Sequence, residues 1–342
     1  MVTIRDVAAR AGVSSTTVSH VINATRPVSA ELRARVESAM AELGFQPNAL
    51  ARSLRRKRTH TLGMIVPDSA NPFFAEVGRG IEDTSFASGY SVILCNSDGD
   101  PARELLYLDL LVQKQVDGVL LVPTGDHAEL AARLRTRNIP VVVIDRDVSE
   151  APIDRAHIDN VAGGYLATRH LLDLGHRRIG YIGGPPHLSP VPDRSAGYCR
   201  ALQEAGLPID DRLIIAGNFR DFSGYSGAQA LFALPDPPTA IFAGNDLMAI
   251  GVLAAARDAG IAVPDDLSIV GFDDIHLAGY INPPLTTVAQ PKYELGVIAA
   301  ELLLARLAKP DMPPQRRLLQ AQLVVRQSTT ACRIAPVPAR SP

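Results

Sequence analysis

A chain of 342 residues can hold a small module and one or two larger domains with cores of their own, and its net charge of −2 hides an asymmetry. Residues 1–60 carry ten Lys or Arg against four acids, +6, which leaves −8 for the remainder: a basic head, fit to dock on a polyanion, on an acidic body. Apolar runs such as 119–122 and 141–144 fall far short of the roughly 20 residues a membrane helix needs, and Cys95, Cys199 and Cys332 have neither pair nor metal spacing, so no membrane, disulfide or metal is expected.

Thr3 followed by Asp6 is a capping-box signature, and Ile4, Val7, Ala8 and Ala11 then fall on one apolar side of a helix that Gly12 ends. Ser14 can cap a second helix, with Val18, Val21 and Ile22 as its buried stripe and Ser15, Thr16, Thr17, Ser19 and His20 facing outward. Two short helices about a tight Gly-containing turn make a helix-turn-helix, whose second helix enters the DNA major groove. Its small hydroxyls and single imidazole can reach base edges. Ser29 is a cap for a third helix, with Leu32, Val36, Met40 and Leu43 at helical spacing, closed by Gly44. Pro47 opens a segment of about two turns running into the basic residues 55–58; so short a helix is marginal alone in water and is expected to fold only against DNA and its twin in a second subunit.

The stretch 3–23 resembles the start of the LacI/GalR family of bacterial repressors, and 16–23 is most similar to its purine and ribose branches. The resemblance implies that Ser15, Thr16, His20 and Arg26 face bases, with Thr17 among the DNA-binding residues. Thr3, Asn23, Arg52 and Arg55 would lie along the DNA backbone, and Leu54 would be an apolar wedge between base steps in the minor groove. It also implies a homodimer on double-stranded, palindromic operator DNA of about 16 to 20 base pairs.

From Thr61 short apolar strands (62–66, 91–95, 118–122, 141–144, 179–182, 240–243 and 269–272) alternate with amphipathic helices (73–88, 105–114, 161–174 and 246–258). That alternation means parallel sheets covered by helices on both faces, and the strands are too many for one sheet. The resemblance specifies an α/β two-lobed type I periplasmic-binding-protein fold with three crossovers, the first lobe spanning about 61–159 and taking back a helix near 293–308. The expected organisation is thus an all-α helix-turn-helix head (1–46), a hinge helix and linker (47–60), a two-lobed effector-binding and dimerisation domain (61–334) and a disordered tail (335–342).

Ligands of open parallel sheets sit beyond the carboxyl ends of the strands. The residues there are Asn71, Phe73 and Phe74; Asp145 and Arg146; Asn245 and Asp246; and Asp273. Arg194 at a helix start, Phe219 in a loop and Gln290 after 286–288 are further candidates, with Phe222 an alternative to Phe219. Carboxylates, amides and guanidinium forks each engage neighbouring hydroxyls, while aromatic faces cover the C–H faces of a sugar ring. Asn71, Phe73, Phe74, Asp145, Arg146, Arg194, Phe219, Asn245, Asp273 and Gln290 are similar as a set to the pocket of periplasmic ribose-binding proteins, which implies D-ribose as a small-molecule effector and no other cofactor. A purine, another pentose or a polyol is the alternative effector; Arg146, standing where the purine branch has a stacking aromatic, favours hydroxyls over a base. A secreted solute-binding protein would share the lobes, but a charged helix occupies the place of a signal peptide. A nicotinamide-dependent dehydrogenase would need G-x-G-x-x-G after the first strand of a lobe, which is missing. The expectation is a cytoplasmic regulator, not an enzyme.

Overall fold

The computed structural model describes residues 2–23, 26–45, 58–124, 130, 133, 139–147 and 152–333, and the chain separates into two compact units, Met1–Thr59 and His60–Pro342. No described helix is long and apolar enough to cross a membrane.

The first unit holds α1 (Ile4–Ala11), α2 (Ser15–Asn23) and α3 (Ala30–Glu42). Thr3 and Asp6 form the reciprocal capping box, the Asp6 N–H donating to Thr3 Oγ1 at 3.4 Å and the Thr3 N–H to Asp6 Oδ2 at 2.8 Å. Gly12 turns the chain with φ +63°, a left-handed conformation in which a side chain is strained. Arg35 of α3 fastens that turn, its Nη2 donating to the Ala11 carbonyl at 2.7 Å and to that of Gly12 at 3.3 Å. Val7, Val18 and Val36 are fully buried at the centre of the three helices. Ala39 joins them, whereas Ile22, Met40 and Leu43 only flank this small core.

The second unit begins with β1 (Thr61–Val66), α4 (Pro72–Ala87), β2 (Ser91–Asn96), α5 (Pro101–Gln113), β3 (Gly118–Leu121), β4 (Val141–Ile144) and β5 (Asp154–Ile158). It continues with α6 (Asn160–Asp173), β6 (Ile179–Gly183), α7 (Pro190–Glu204), β7 (Ile214–Ala216), α8 (Asp221–Phe232), β8 (Ala240–Ala243), α9 (Asp246–Asp258), β9 (Ser268–Asp273) and β10 (Thr286–Ala289). The chain closes with α10 (Lys292–Ala308), β11 (Arg316–Leu319) and β12 (Gln322–Val324).

The strands make two six-stranded sheets, ordered β2-β1-β3-β4-β5-β11 and β7-β6-β8-β9-β10-β12, parallel except for the β10–β12 pair. The same order recurs in both, so the two lobes repeat one design. β1, β3, β4, β6, β8 and β9 are buried almost throughout because helices cover both faces, which is why they read as continuous Val, Ile and Leu runs. The chain passes between lobes three times: after β5, after β10 and between β11 and β12. α10 packs on α4 and the first sheet, as the sequence led us to expect. α5 starts at Pro101, earlier than expected, because Asp100 caps it by accepting from the Ala102 N–H at 2.8 Å.

In each sheet the order reverses between the first and third strands (β1/β3 and β6/β8), and loops leaving such strand ends frame a crevice.

Candidate DNA-reading helix and ligand cavity

In the head, Ser15 and Thr16 at the start of α2 are exposed, as is Arg26 beyond its end. Thr17, His20 and Asn23 are half-buried, and two of them turn to local partners. Thr17 Oγ1 lies 2.9 Å from Ser14 Oγ, the capping hydroxyl, and Asn23 Nδ2 donates to the Ser19 carbonyl at 2.8 Å. The Thr3 hydroxyl is spent in the capping box. Arg52, Leu54 and Arg55 lie outside the described residues.

In the second unit all ten expected cavity residues line one pocket of roughly 330 Å³ between the two sheets. From the first lobe, Asn71 caps α4 by accepting from the Phe73 N–H at 2.9 Å, which fixes the turn that carries the next two rings. Phe73 and Phe74 are buried and meet edge to face, centroids 5.0 Å apart. Asp145 leaves β4 with φ +65°, and the adjacent Arg146 donates through Nη1 to the Pro123 carbonyl at 2.7 Å. Arg146 Nε lies 3.8 Å from Asp145 Oδ2, and its guanidinium carbon 6.0 Å from the Phe74 ring centre.

From the second lobe, Arg194 in the first turns of α7 is anchored twice: Nε donates to Asn160 Oδ1 at 2.8 Å and Nη1 to the Gly244 carbonyl. Its guanidinium carbon lies over the Phe272 ring, 3.7 Å from the ring centre, and 5.9 Å from that of Phe219. Phe219 takes φ +64°, and its ring fits only because residue 184 is glycine; a Cβ there would stand 2.3 Å from the ring. Phe222, the alternative, is 75 % exposed and does not line the pocket. Asn245 holds the Phe219 loop by donating to its carbonyl at 2.9 Å and caps α9 by accepting from the Met248 N–H at 2.9 Å. Asp273, with φ +108°, accepts from Gln290 Nε2 at 2.7 Å, while buried Lys292 donates to the carbonyls of Asp273 and Asp274 at 2.9 and 2.6 Å.

Burial dominates the electrostatics. It lifts the Asp145 carboxyl above the usual range against the pull of Arg146 and Arg194, and it lowers Arg146 against the pull of Asp145 and Glu104. Asp273 is pushed up to about 7 by burial, with Arg194 and the Gln290 hydrogen bond opposing. Asp246, expected beside Asn245, does not line the pocket; it lies beneath it, accepting from Thr287 Oγ1 at 2.6 Å and the Ile275 N–H at 2.8 Å.

Three buried polar atoms of this wall find no hydrogen-bond partner within the protein: Asp145 Oδ1, Arg146 Nε and Gln290 Oε1. Such atoms are rare in folded proteins because each forfeits its hydration, and here all three belong to residues that line one aromatic-walled space. The arrangement suits a small molecule rich in hydroxyls. Among the described residues no cluster fit to hold a metal occurs.

Sequence reasoning missed several lining residues, including Asp68, Asp98, Thr124, Asn218 and Arg220. Asp68, Asp98 and Thr124 follow β1, β2 and β3 by two or three residues, so the strand-end rule could have found them. Thr124 is oriented by buried Glu104, which accepts from both its N–H and its hydroxyl at 2.7 Å.

A helix-turn-helix head carried with a two-lobed domain that encloses such a cavity defines a ligand-responsive DNA-binding protein. The chain matches the model of bacterial regulatory proteins of the lacI family over residues 3–48 and that of the periplasmic binding protein-like domain over residues 168–329. It is 44% identical over 331 residues to the ribose operon repressor of Escherichia coli K12, covering 96% of this chain and 100% of that one. The HTH-type transcriptional repressor PurR of Photobacterium profundum is 41% identical, with 96% and 98% covered. Among solved structures, a LacI family regulator of Enterococcus faecium with bound ribose is 34% identical, covering 80% of this chain and all of that one, at TM-score 0.74. The lac repressor dimer bound to operator and an anti-inducer is 30% identical, covering 96% and 99%, at TM-score 0.87. The protein belongs to the lacI family of bacterial regulators.

Proposed function

We propose that the protein is a cytoplasmic homodimeric repressor, without enzymatic activity, that holds a palindromic operator until D-ribose enters its cavity. The observation that carries the effector reading is that Asp145, Arg146 and Gln290, each with a buried polar atom left without a partner in the protein, line one space together with Phe73, Phe74 and Phe219. Two carboxylates, two guanidinium groups and the amides of Asn71, Asn245 and Gln290 offer a pentose more hydrogen-bond partners than its hydroxyls need. The rings cover its apolar faces. A purine would need a flat stacking partner where Arg146 stands, its Nη1 already donating to the Pro123 carbonyl.

On the DNA side, Ser15, Thr16, His20 and Arg26 are assigned to bases, Thr17 to the DNA-binding face beside them, Thr3, Asn23, Arg52 and Arg55 to the backbone, and Leu54 to the minor-groove wedge. The exposure of Ser15, Thr16 and Arg26 supports their part. For ribose to act as inducer it must bind the released state better than the operator-bound one; a hundredfold preference corresponds to about 2.7 kcal/mol per site.

The test is fluorescence anisotropy of a labelled palindrome from upstream of the protein's own gene, at stated salt, titrated with protein and then with D-ribose. Release at sub-millimolar ribose is expected. Arg194→Ala should abolish ribose binding and release together while still holding the operator, and release by ribose that survives this substitution would overturn the site assignment.

A further inference from the structure

The cavity has a mouth, and one cation spans it. Arg220 follows Phe219 in the second lobe and reaches the first: its Nη2 donates to Asp98 Oδ1 at 2.7 Å, and its Nε lies 3.6 Å from Asp68 Oδ2. All three residues line the cavity's edge. Each partner sits on a loop that carries pocket residues. Asp68 builds the loop that delivers Asn71, accepting from the Ala70 N–H through Oδ1 at 3.0 Å and from the Asn71 N–H through its carbonyl at 3.2 Å. Asn96, at the end of β2, accepts from the Ser69 N–H at 2.9 Å and ties this loop to the one that bears Asp98. Across the cleft, the Arg220 N–H donates to Asn218 Oδ1 at 3.0 Å, and the Asn218 N–H donates to Ser223 Oγ at 3.1 Å, so the guanidinium projects from a turn held at both ends.

We propose that Arg220 is a positioning residue for effector binding: its ion pairs with Asp98 and Asp68 latch the two cavity loops together over a bound ligand and set how tightly it is retained. The pairs are half-exposed, with side-chain exposures of 53 % for Arg220, 52 % for Asp98 and 28 % for Asp68, so salt screens them. The contacts deep in the cavity are buried, and an uncharged sugar brings no charge of its own. Salt dependence of affinity therefore reports on the latch and not on the pocket floor. Arg103 of the first lobe lies 4.0 Å from the other Asp98 oxygen.

The affinity part of the test rests on ribose being the effector; a second part needs no ligand. Calorimetric titration of the full-length protein with D-ribose should show the dissociation constant rising about threefold between about 50 and about 500 mM NaCl, the scale expected of an exposed ion-pair cluster. Arg220→Gln should begin at the raised value and stay flat, while Arg220→Lys should recover the salt dependence. In the ligand-free protein, hydrogen exchange should quicken in Arg220→Gln at residues 67–71 of the first lobe as well as 218–223 of the second, and not in Arg220→Lys. Exchange that changes only in 218–223, or a salt response equal in wild type and Arg220→Gln, would overturn the latch. Absence of any ribose heat with wild-type protein would instead refute the effector assignment and leave the exchange experiment to judge the latch by itself.

Discussion

Asp273→Asn should make the ligand-free protein more stable and a worse binder. The carboxyl is buried at the end of β9, and burial lifts its pKa from 3.8 to about 7. Below the unfolded value both states hold the proton and nothing is lost. Between the two values the unfolded chain releases it and the folded chain does not, so stability declines as pH rises, and above the folded value the loss is constant. The shift corresponds to a penalty of under about 2 kcal/mol at pH 5 and about 4 kcal/mol at pH 8. Asparagine keeps the shape, accepts from Gln290 as before, tolerates a positive φ and leaves the Lys292 bonds to the main chain untouched. Urea denaturation of the full chain should therefore show Asp273→Asn gaining about 4 kcal/mol at pH 8 and about half of that or less at pH 5. Its ribose affinity should fall about 10- to 150-fold, the worth of a hydrogen bond to a charged group. Wild-type affinity should in turn weaken as pH falls below about 7, where the carboxylate form is lost. A gain of equal size at both pH values, or a loss of stability at pH 8, would refute the reasoning.

Phe219→Ala should weaken ribose binding by about tenfold or more, while Phe222→Ala, on an exposed face, should leave it within about twofold; calorimetry of the two side by side decides which ring serves the cavity. Gly12→Ala places a Cβ 2.8 Å from Arg35 Nη2 on a left-handed backbone, so it should cost the head about 1–2 kcal/mol. Operator anisotropy should register that loss, with ribose calorimetry unchanged.

The buried strands were legible because helices on both faces demand uninterrupted apolar residues, as in Val141–Ile144 and Ala240–Ala243. Two strands at the far side of the first sheet, β5 and the edge strand β11 beside it, were not. β5 reads Asp-Arg-Ala-His-Ile and β11 Arg-Arg-Leu-Leu, and partners remote in sequence hold them. Asp154 receives both Nε and Nη2 of Arg306 from α10, at 2.8 and 3.0 Å, and Arg316 Nε donates to His157 Nε2 at 2.9 Å. No local pattern announces such pairings. The cavity was legible from strand ends joined to a family resemblance, since polar residues just after apolar runs have few other reasons to be there. Of its rim, Asp68 and Asp98 stand two residues past strand ends and were within reach of the same rule, whereas Arg220 resembles an ordinary surface charge until the fold brings it to them. The half-burial of Thr17 and Asn23 was missed because a helical wheel shows which way a residue points, but not which hydroxyl or carbonyl its side chain turns to meet.

The three crossings between lobes also order events during synthesis. The first sheet receives its last strand, β11, and its covering helix, α10, from residues beyond 290, so a ribosome must make nearly the whole chain before that lobe can close. The head is a separate compact unit with its own core, made first and free to fold at once. A chain stalled or clipped before α10 would carry a DNA-reading module with no completed sensor attached. Such fragments would be deaf to the effector.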